Sequence, residues 1–172
     1  ATAIHPDDGR LYMGIGETVV MFSANSNPSI IDLVQFEGGG AILDIEIDQP
    51  NDRLIVSTYY DGIHAITLSD SSTLPPLPDS PASDTDIFWN THVAATGGIY
   101  AVSESGFFIL DSAGTGWTLE QASDTTNWPT GVPWKVLEHN GVIYVGIYDG
   151  GVARFDTSTA STLSSWTTAN NL

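Results

Sequence analysis

Three carboxylates at alternating positions are the residues of this sequence best spaced to do chemistry. Asp44, Glu46 and Asp48 fall on a predicted strand over 41–48, where alternate side chains point to one face. Together they could bind a hard cation such as calcium, or supply the acid and base of a hydrolytic reaction. The alternative is a strand with one buried face whose acids meet solvent. We favour this alternative because calcium sites also use turn geometry and carbonyl ligands.

Aromatic residues beside predicted turns form the second group of candidates. Tyr59 and Tyr60 precede one Asp-Gly turn, and Tyr148 precedes another. Exposed aromatic rings mark sites of interaction, so these three tyrosines are predicted to contact a protein or a glycan. The five tryptophans are expected instead to pack between sheets.

The other reactive groups form no recognisable constellation. His5, His92 and His139 lie near the ends of predicted strands but at different offsets, so a shared metal site is not expected. The sequence has no Gly-Lys-Ser or Gly-Lys-Thr phosphate loop, no Gly-x-Ser-x-Gly elbow and no His-Glu-x-x-His motif. Cysteine is absent, which excludes a thiol nucleophile and Cys-bound zinc. No cofactor is therefore predicted beyond the calcium considered above.

The net charge argues against several classes of partner. Four basic residues against 21 acidic ones give a formal charge of -17, so the protein repels nucleic-acid backbones and anionic lipids. Membrane insertion is not predicted, because no run of 18 apolar residues occurs. Richness in Ser, Thr, Asp and Gly resembles exported prokaryotic proteins and predicts an extracellular or periplasmic location. The first residues lack the features of a signal peptide, so we expect any such signal to be removed or to lie outside this sequence.

The elements that must position these residues repeat along the chain. A hairpin of β-branched and aromatic strands around a short turn recurs about every 44 residues. Its four copies cover residues 11–23, 54–67, 99–111 and 143–156. A short strand precedes each copy, and a fourth is predicted after it, at Ser29–Phe36, Ser72–Leu77, Trp117–Gln121 and Ser165–Thr168. Four short antiparallel strands in about 44 residues are typical of a β-propeller blade.

The repeat predicts a single all-β domain over residues 1–172, a β-propeller of four blade-like units. The units run approximately over 1–38, 39–83, 84–130 and 131–172. The proline-rich stretch Ser71–Asp86 predicts a short or missing outer strand in the second unit.

The sequence does not decide how the propeller ring is completed. Runs such as Leu54-Ile55-Val56 predict sheets that are buried on both faces, so the first and fourth sheets each need a cover. Either the four blades close into a small ring, or the chain is half of a larger ring that is completed by a second copy or by sequence outside this chain. Self-association is therefore expected.

Short motifs in the fourth unit follow a fixed order: Tyr144-Val145-Gly146, Asp149-Gly150-Gly151-Val152, Arg154-Phe155-Asp156 and Trp166-Thr167-Thr168. This set resembles the propeller repeat of sensor ectodomains of two-component regulators, which the other three units follow loosely. The third unit also carries Asp111-Ser112-Ala113-Gly114-Thr115-Gly116-Trp117. That segment resembles a degenerate Asp-box, with Ala113 at the position of the box aspartate. The resemblance implies a propeller scaffold, and such repeats do not carry catalytic residues.

The sequence thus predicts a non-catalytic β-propeller module for binding, interaction or sensing. One alternative is a fragment of a carbohydrate-active propeller enzyme, a lyase or a glycoside hydrolase, that works through Asp44, Glu46, Asp48 or Asp86. Another alternative is a structural component of an extracellular assembly.

Overall fold

The computed structural model describes residues 1–24, 29–38, 40–74, 77, 87–110, 116–122, 128–156 and 161–166. These residues form short strands and one turn of 3-10 helix at Gln49–Asn51. The strands, in chain order, are β1 Thr2–Ile4, β2 Leu11–Ile15, β3 Thr18–Phe22, β4 Ile30–Gln35, β5 Ile42–Asp48, β6 Arg53–Thr58, β7 Ile63–Thr67, β8 Phe88–Val93, β9 Ile99–Ser103, β10 Gly106–Leu110, β11 Trp117–Ala122, β12 Val132–His139, β13 Val142–Tyr148, β14 Gly151–Asp156 and β15 Ser161–Trp166.

The strands form four antiparallel sheets, in the orders β1-β2-β3-β4, β5-β6-β7, β8-β9-β10-β11 and β12-β13-β14-β15. Tight turns favour this arrangement. Gly62, for example, adopts a φ of +69° and lets the chain reverse between β6 and β7. The inner strand β5 contacts both β1 and β8, and β8 contacts β12. The predicted all-β propeller with four blade-like units is confirmed, and the sheets are called blades 1 to 4 below.

The outer strands of blades 2 and 4 differ from those of the other blades or from the prediction. β15 occupies Ser161–Trp166, so the predicted strand at Ser165–Thr168 was wrong in position. Blade 2 has three strands in the described part of the chain, and Thr73 forms only an isolated bridge with Ile66. Most of the proline-rich stretch, together with Asp86, lies outside the described residues. The predicted limits of the four units stay a prediction.

Each blade packs on its neighbour through an apolar cluster. Alternate residues of β6 serve two of these clusters, because Leu54 and Val56 pack with blade 1 whereas Ile55 packs with blade 3. All three side chains are fully buried, as the run predicted. A third cluster joins blades 3 and 4 around Phe107 and Phe155.

The end blades remain uncovered. Among the described residues, blades 1 and 4 do not meet, so the four blades form part of a propeller and not the small closed ring that was one of the two alternatives. Tyr144 is therefore only half-buried, whereas its neighbours Ile143 and Val145 face blade 3 and are fully buried. The described residues include no helix with the length and apolar character needed to cross a bilayer.

Candidate functional site

Five aromatic side chains meet at the end of the propeller where the inner strands begin, which we call the upper end. Tyr59 and Tyr60 follow β6 in the turn to β7, opposite the start of β5. Trp89 and Trp134 lie near the starts of β8 and β12, and Tyr148 ends β13 opposite the start of β12. The antiparallel register brings these residues of blades 2, 3 and 4 to one end of the molecule.

The five rings form a continuous series, called the aromatic row. Tyr60 packs edge-on against Tyr59 with ring centroids 4.4 Å apart, and Tyr59 lies 6.3 Å from Trp89. Trp89 and Trp134 stack at 4.5 Å with an interplanar angle of 21°, and Trp134 lies 6.2 Å from Tyr148. The first three pairs have the edge-to-face or stacked geometry that aromatic quadrupoles favour, and the Trp134–Tyr148 pair is tilted by 43°.

The aromatic row is open to solvent at three of its members. Tyr60 is 58% exposed, Trp134 51% and Tyr148 70%. Tyr59 and Trp89 are half-buried beneath them, and the indole N–H of Trp89 is buried without a hydrogen-bond partner among the described residues. An exposed aromatic surface of this kind is a candidate for an interaction site.

Glycines hold the backbone close to both ends of the aromatic row. Gly40 has a φ of +68°, and a Cβ there would lie 2.8 Å from Cδ2 of Tyr60 and 3.2 Å from Cβ of Tyr59. At the other end, a Cβ on Gly131 would overlap the carbonyl oxygen of Tyr148. The positions of the exposed tyrosines therefore depend on turns that admit only glycine.

The carboxylate of Asp44 lies below the aromatic row, between blades 2 and 3. Its Oδ2 accepts hydrogen bonds from Asn90 Nδ2 at 2.6 Å, from the Thr91 backbone N–H at 2.9 Å and from the Thr91 hydroxyl at 3.2 Å. Asn90 Oδ1 in turn accepts a hydrogen bond from the backbone N–H of Val136 in blade 4, at 2.8 Å. Burial raises the pKa of Asp44, although the Thr91 hydrogen bonds and the charge of Lys135 oppose the shift.

Glu46 and Asp48 have separate partners of their own. Glu46 lies 3.3 Å from Nδ1 of His92 in blade 3. Asp48 accepts a hydrogen bond from Arg53 Nε at 2.6 Å and further bonds from Asn51. The side chain of Asp48 is 0% exposed, so the expectation that all three acids meet solvent was wrong for it. The reason is the turn after β5, where a guanidinium and an amide enclose the carboxylate.

The placement of the acids and histidines bears on metal binding. The described residues contain no group of three or more His, Asp or Glu side chains placed to hold a metal ion. His5 instead accepts hydrogen bonds from the turn that follows it, through Nδ1. Calcium binding by the three acids stays a prediction, as does ligand contact by the three acids and by Tyr59, Tyr60 and Tyr148.

Two members of the aromatic row were not predicted as site residues. The tryptophans were expected to pack between sheets, as Trp117 and Trp128 do, but Trp134 is exposed and Trp89 bridges it to Tyr59. Their positions carried a signal, since Trp89 and Trp134 stand about one repeat apart at the start of inner strands. This repetition in units three and four is the signal that the sequence offered for them.

The structure resembles those of several solved proteins, whereas no family model and no curated protein matches the sequence. The extracellular domain of a B. thetaiotaomicron protein assigned to the hybrid two-component systems superposes with a TM-score of 0.73 at 16% identity, over 99% of this chain and 24% of that one. Dihydro-heme d1 dehydrogenase NirN gives 0.73 at 10% identity, over 99% and 37%. BamB from Moraxella catarrhalis gives 0.65 at 16% identity, over 100% and 51%.

These similarities define the class of protein. The chain is a β-propeller repeat protein, as the sequence predicted, and it spans about a quarter to a half of the length of these three structures. Identities of 10–16% show the fold alone. A propeller scaffold hosts unrelated functions, so function has to be argued from the site.

Proposed function

We propose that this chain is a non-catalytic binding or sensing module that holds a protein or glycan ligand on its aromatic row. The observation that carries the proposal is the exposure of Tyr60, Trp134 and Tyr148 on one continuous aromatic surface. Aromatic side chains provide large contact areas with few rotatable bonds and are therefore enriched where proteins bind ligands. An extracellular or periplasmic location is part of the proposal, and the extracellular domain among the similar structures supports it.

The carbohydrate-active enzyme is the second candidate. The raised pKa of Asp44 favours it, because a general acid must stay protonated near neutral pH. The hydrogen bonds of that carboxylate argue against it, since Asn90 and Thr91 occupy Oδ2 and Asp48 is enclosed by Arg53 and Asn51. We therefore place the binding module first.

Arrays of peptides and of glycans would test the binding module. The wild-type chain is compared with a variant carrying Tyr60→Ala, Trp134→Ala and Tyr148→Ala, and with Leu119→Ala as the control. Leu119 is an exposed apolar residue of β11, outside the aromatic row. We expect ligands whose affinity falls at least about tenfold in the triple variant and is unchanged in the control.

Two results would overturn this proposal. One is that the triple variant binds every ligand as the wild type does, or that the wild type binds none. The other is hydrolysis or lyase cleavage of a polysaccharide that Asp44→Asn abolishes, because this would establish the enzyme instead.

Self-association is the second part of the proposal, and its occupant is a second copy of this chain. The outer face of blade 1 carries exposed Ile4, Ile15, Ile30 and Leu33, opposite the face that packs on blade 2. Each blade-to-blade contact within the chain is apolar, so blade 4 of a second copy is the matching cover for this face. The span of this chain, 51% of BamB, is consistent with two copies completing one ring.

A further inference from the structure

We infer that the aromatic row binds a basic polypeptide segment, with arginine or lysine side chains placed over its exposed rings. This inference rests on the proposed function and specifies the ligand of the same site. It follows from the geometry of the rings, from the charges around them and from the hydrogen bonds already made beneath them.

Trp134 offers the best-placed ring face. Its indole stacks on Trp89 at 4.5 Å and lies 6.2 Å from the ring of Tyr148, yet Trp134 is still 51% exposed, so about half of its surface is open to a ligand. Cations bind the faces of aromatic rings within about 6 Å of the centroid, and tryptophan binds them best. Tyr60 and Tyr148 flank it at the two ends of the aromatic row and offer two further exposed rings.

Acidic side chains lie at the same end of the propeller as the aromatic row. Each of the four tight hairpin turns at the upper end carries one acid: Glu17, Asp61, Glu104 and Asp149. In the described part of the chain, Lys135 is the one lysine or arginine at this end. Arg10 and Arg53 lie at the opposite end, where they pair with Asp8 and Asp48. A formal charge of -17 adds a long-range attraction for cationic partners.

Three of the polar residues beneath the aromatic row, Asp44, Asn90 and Thr91, are already hydrogen-bonded, whereas the buried indole N–H of Trp89 has no partner among the described residues. Asp44 accepts from Asn90 and Thr91, and Asn90 accepts from the backbone of Val136. A sugar would need donors and acceptors of this kind beside the rings, because its hydroxyl groups require hydrogen-bond partners when they are desolvated. What the upper end exposes is instead aromatic faces and carboxylates, which suit arginine and lysine.

Calorimetric titration with synthetic peptides would test this inference. The probe is a peptide of arginine separated by glycine and serine, and its control is the same peptide with citrulline, which is neutral, in place of arginine. We expect binding of the arginine peptide only, weakened by salt because the contacts are electrostatic. Trp134→Ala should raise its Kd about tenfold, whereas Trp134→Phe should retain most of the binding and Leu119→Ala all of it.

The outcomes separate this inference from the proposed function. Equal binding of the arginine peptide by Trp134→Ala and wild type would mean unspecific attraction by charge, and would overturn the inference. If glycans bind the aromatic row and arginine peptides do not, the inference fails while the binding module stands. The melting temperature of each variant, compared with wild type, shows whether a loss of binding reflects a loss of folding.

Discussion

At the scale of single residues, Asp44 joins three blades. It accepts hydrogen bonds from Asn90 and Thr91 of blade 3, and Asn90 connects onward to Val136 of blade 4. Asn90 and Thr91 are buried, so their polar groups would be costly to leave unpaired. A carboxylate that the sequence offered as a candidate site therefore also has a clear role in stability.

The first prediction concerns the pH dependence of this role. Because burial raises the pKa of Asp44, the folded protein holds this proton more tightly than the unfolded chain does. The contribution of Asp44 to stability is therefore full below the ordinary aspartate pKa of 3.8 and falls as the pH rises through the folded-state pKa. We expect Asp44→Asn, which cannot titrate, to gain stability relative to wild type between about pH 4 and pH 7.

Urea denaturation of wild type and Asp44→Asn at about pH 4 and about pH 7 measures the difference in their free energies of unfolding. The other carboxyl groups are common to the two proteins, so their titration cancels from this difference. A second variant, Asp44→Ala, should lose about 1–3 kcal/mol at either pH, since it leaves the donors of Asn90 and Thr91 unpaired. A difference between Asp44→Asn and wild type that is constant with pH would contradict the prediction.

At the scale of elements, turns place the aromatic row, and strands carry it. The turn from β13 to β14 supports Tyr148 and packs against the segment before β12. A Cβ on Gly150 would overlap the carbonyl oxygen of Thr130, and one on Gly131 would overlap that of Tyr148. This close approach of two backbones fixes the position of Tyr148 beside Trp134.

We expect Gly150→Ala to force the β13–β14 turn away from the segment around Thr130, which precedes β12. The free energy of unfolding should fall by about 1–3 kcal/mol. Gly146→Ala is the matched control, because a Cβ there would meet only Lys135 at an ordinary distance of 3.8 Å. Chemical denaturation of both variants measures the effect. Equal denaturation midpoints for the two variants would show that the close approach is not a constraint.

At the scale of the whole molecule, the main feature is that the two end blades each have an uncovered face. A propeller blade buries both faces only when it has a neighbour on each side, and within the described part of the chain blade 1 packs on blade 2 alone. Its outer face exposes Leu33 at 56% and Ile4 at 66%, on a sheet whose opposite face is buried against blade 2.

We predict that the wild-type chain has the mass of two chains in solution and that Leu33→Glu has the mass of one. The substitution places a charge in the proposed interface, and because Leu33 is exposed in the single chain it should not disturb the fold. Analytical ultracentrifugation measures the masses. Thr96→Glu is the control for added charge, because Thr96 is exposed in the turn between β8 and β9, away from the outer face of blade 1. A folded wild-type chain with the mass of one chain would refute self-association.

The sequence by itself determined the repeat and therefore the fold. Alternating apolar residues and Gly-containing turns act over a few neighbours, so runs such as Leu54-Ile55-Val56 and turns such as Asp61-Gly62 could be interpreted without knowledge of distant contacts. The position predicted for the last strand was wrong, because the short polar segment that contains β15 shows neither a clear alternation of apolar residues nor a glycine-containing turn.

Only the tertiary structure decided what the candidate residues do. Asp44, Glu46 and Asp48 alternate on one strand, yet two of them join blade 3 and the third pairs with Arg53, because their partners lie on other strands and turns. The aromatic row likewise unites residues of three blades that are far apart in the chain. Packing between blades creates the contacts of Asp44, of Glu46 and of the aromatic row, which no local pattern of the sequence encodes directly, whereas the Asp48–Arg53 pair forms within the β5–β6 hairpin.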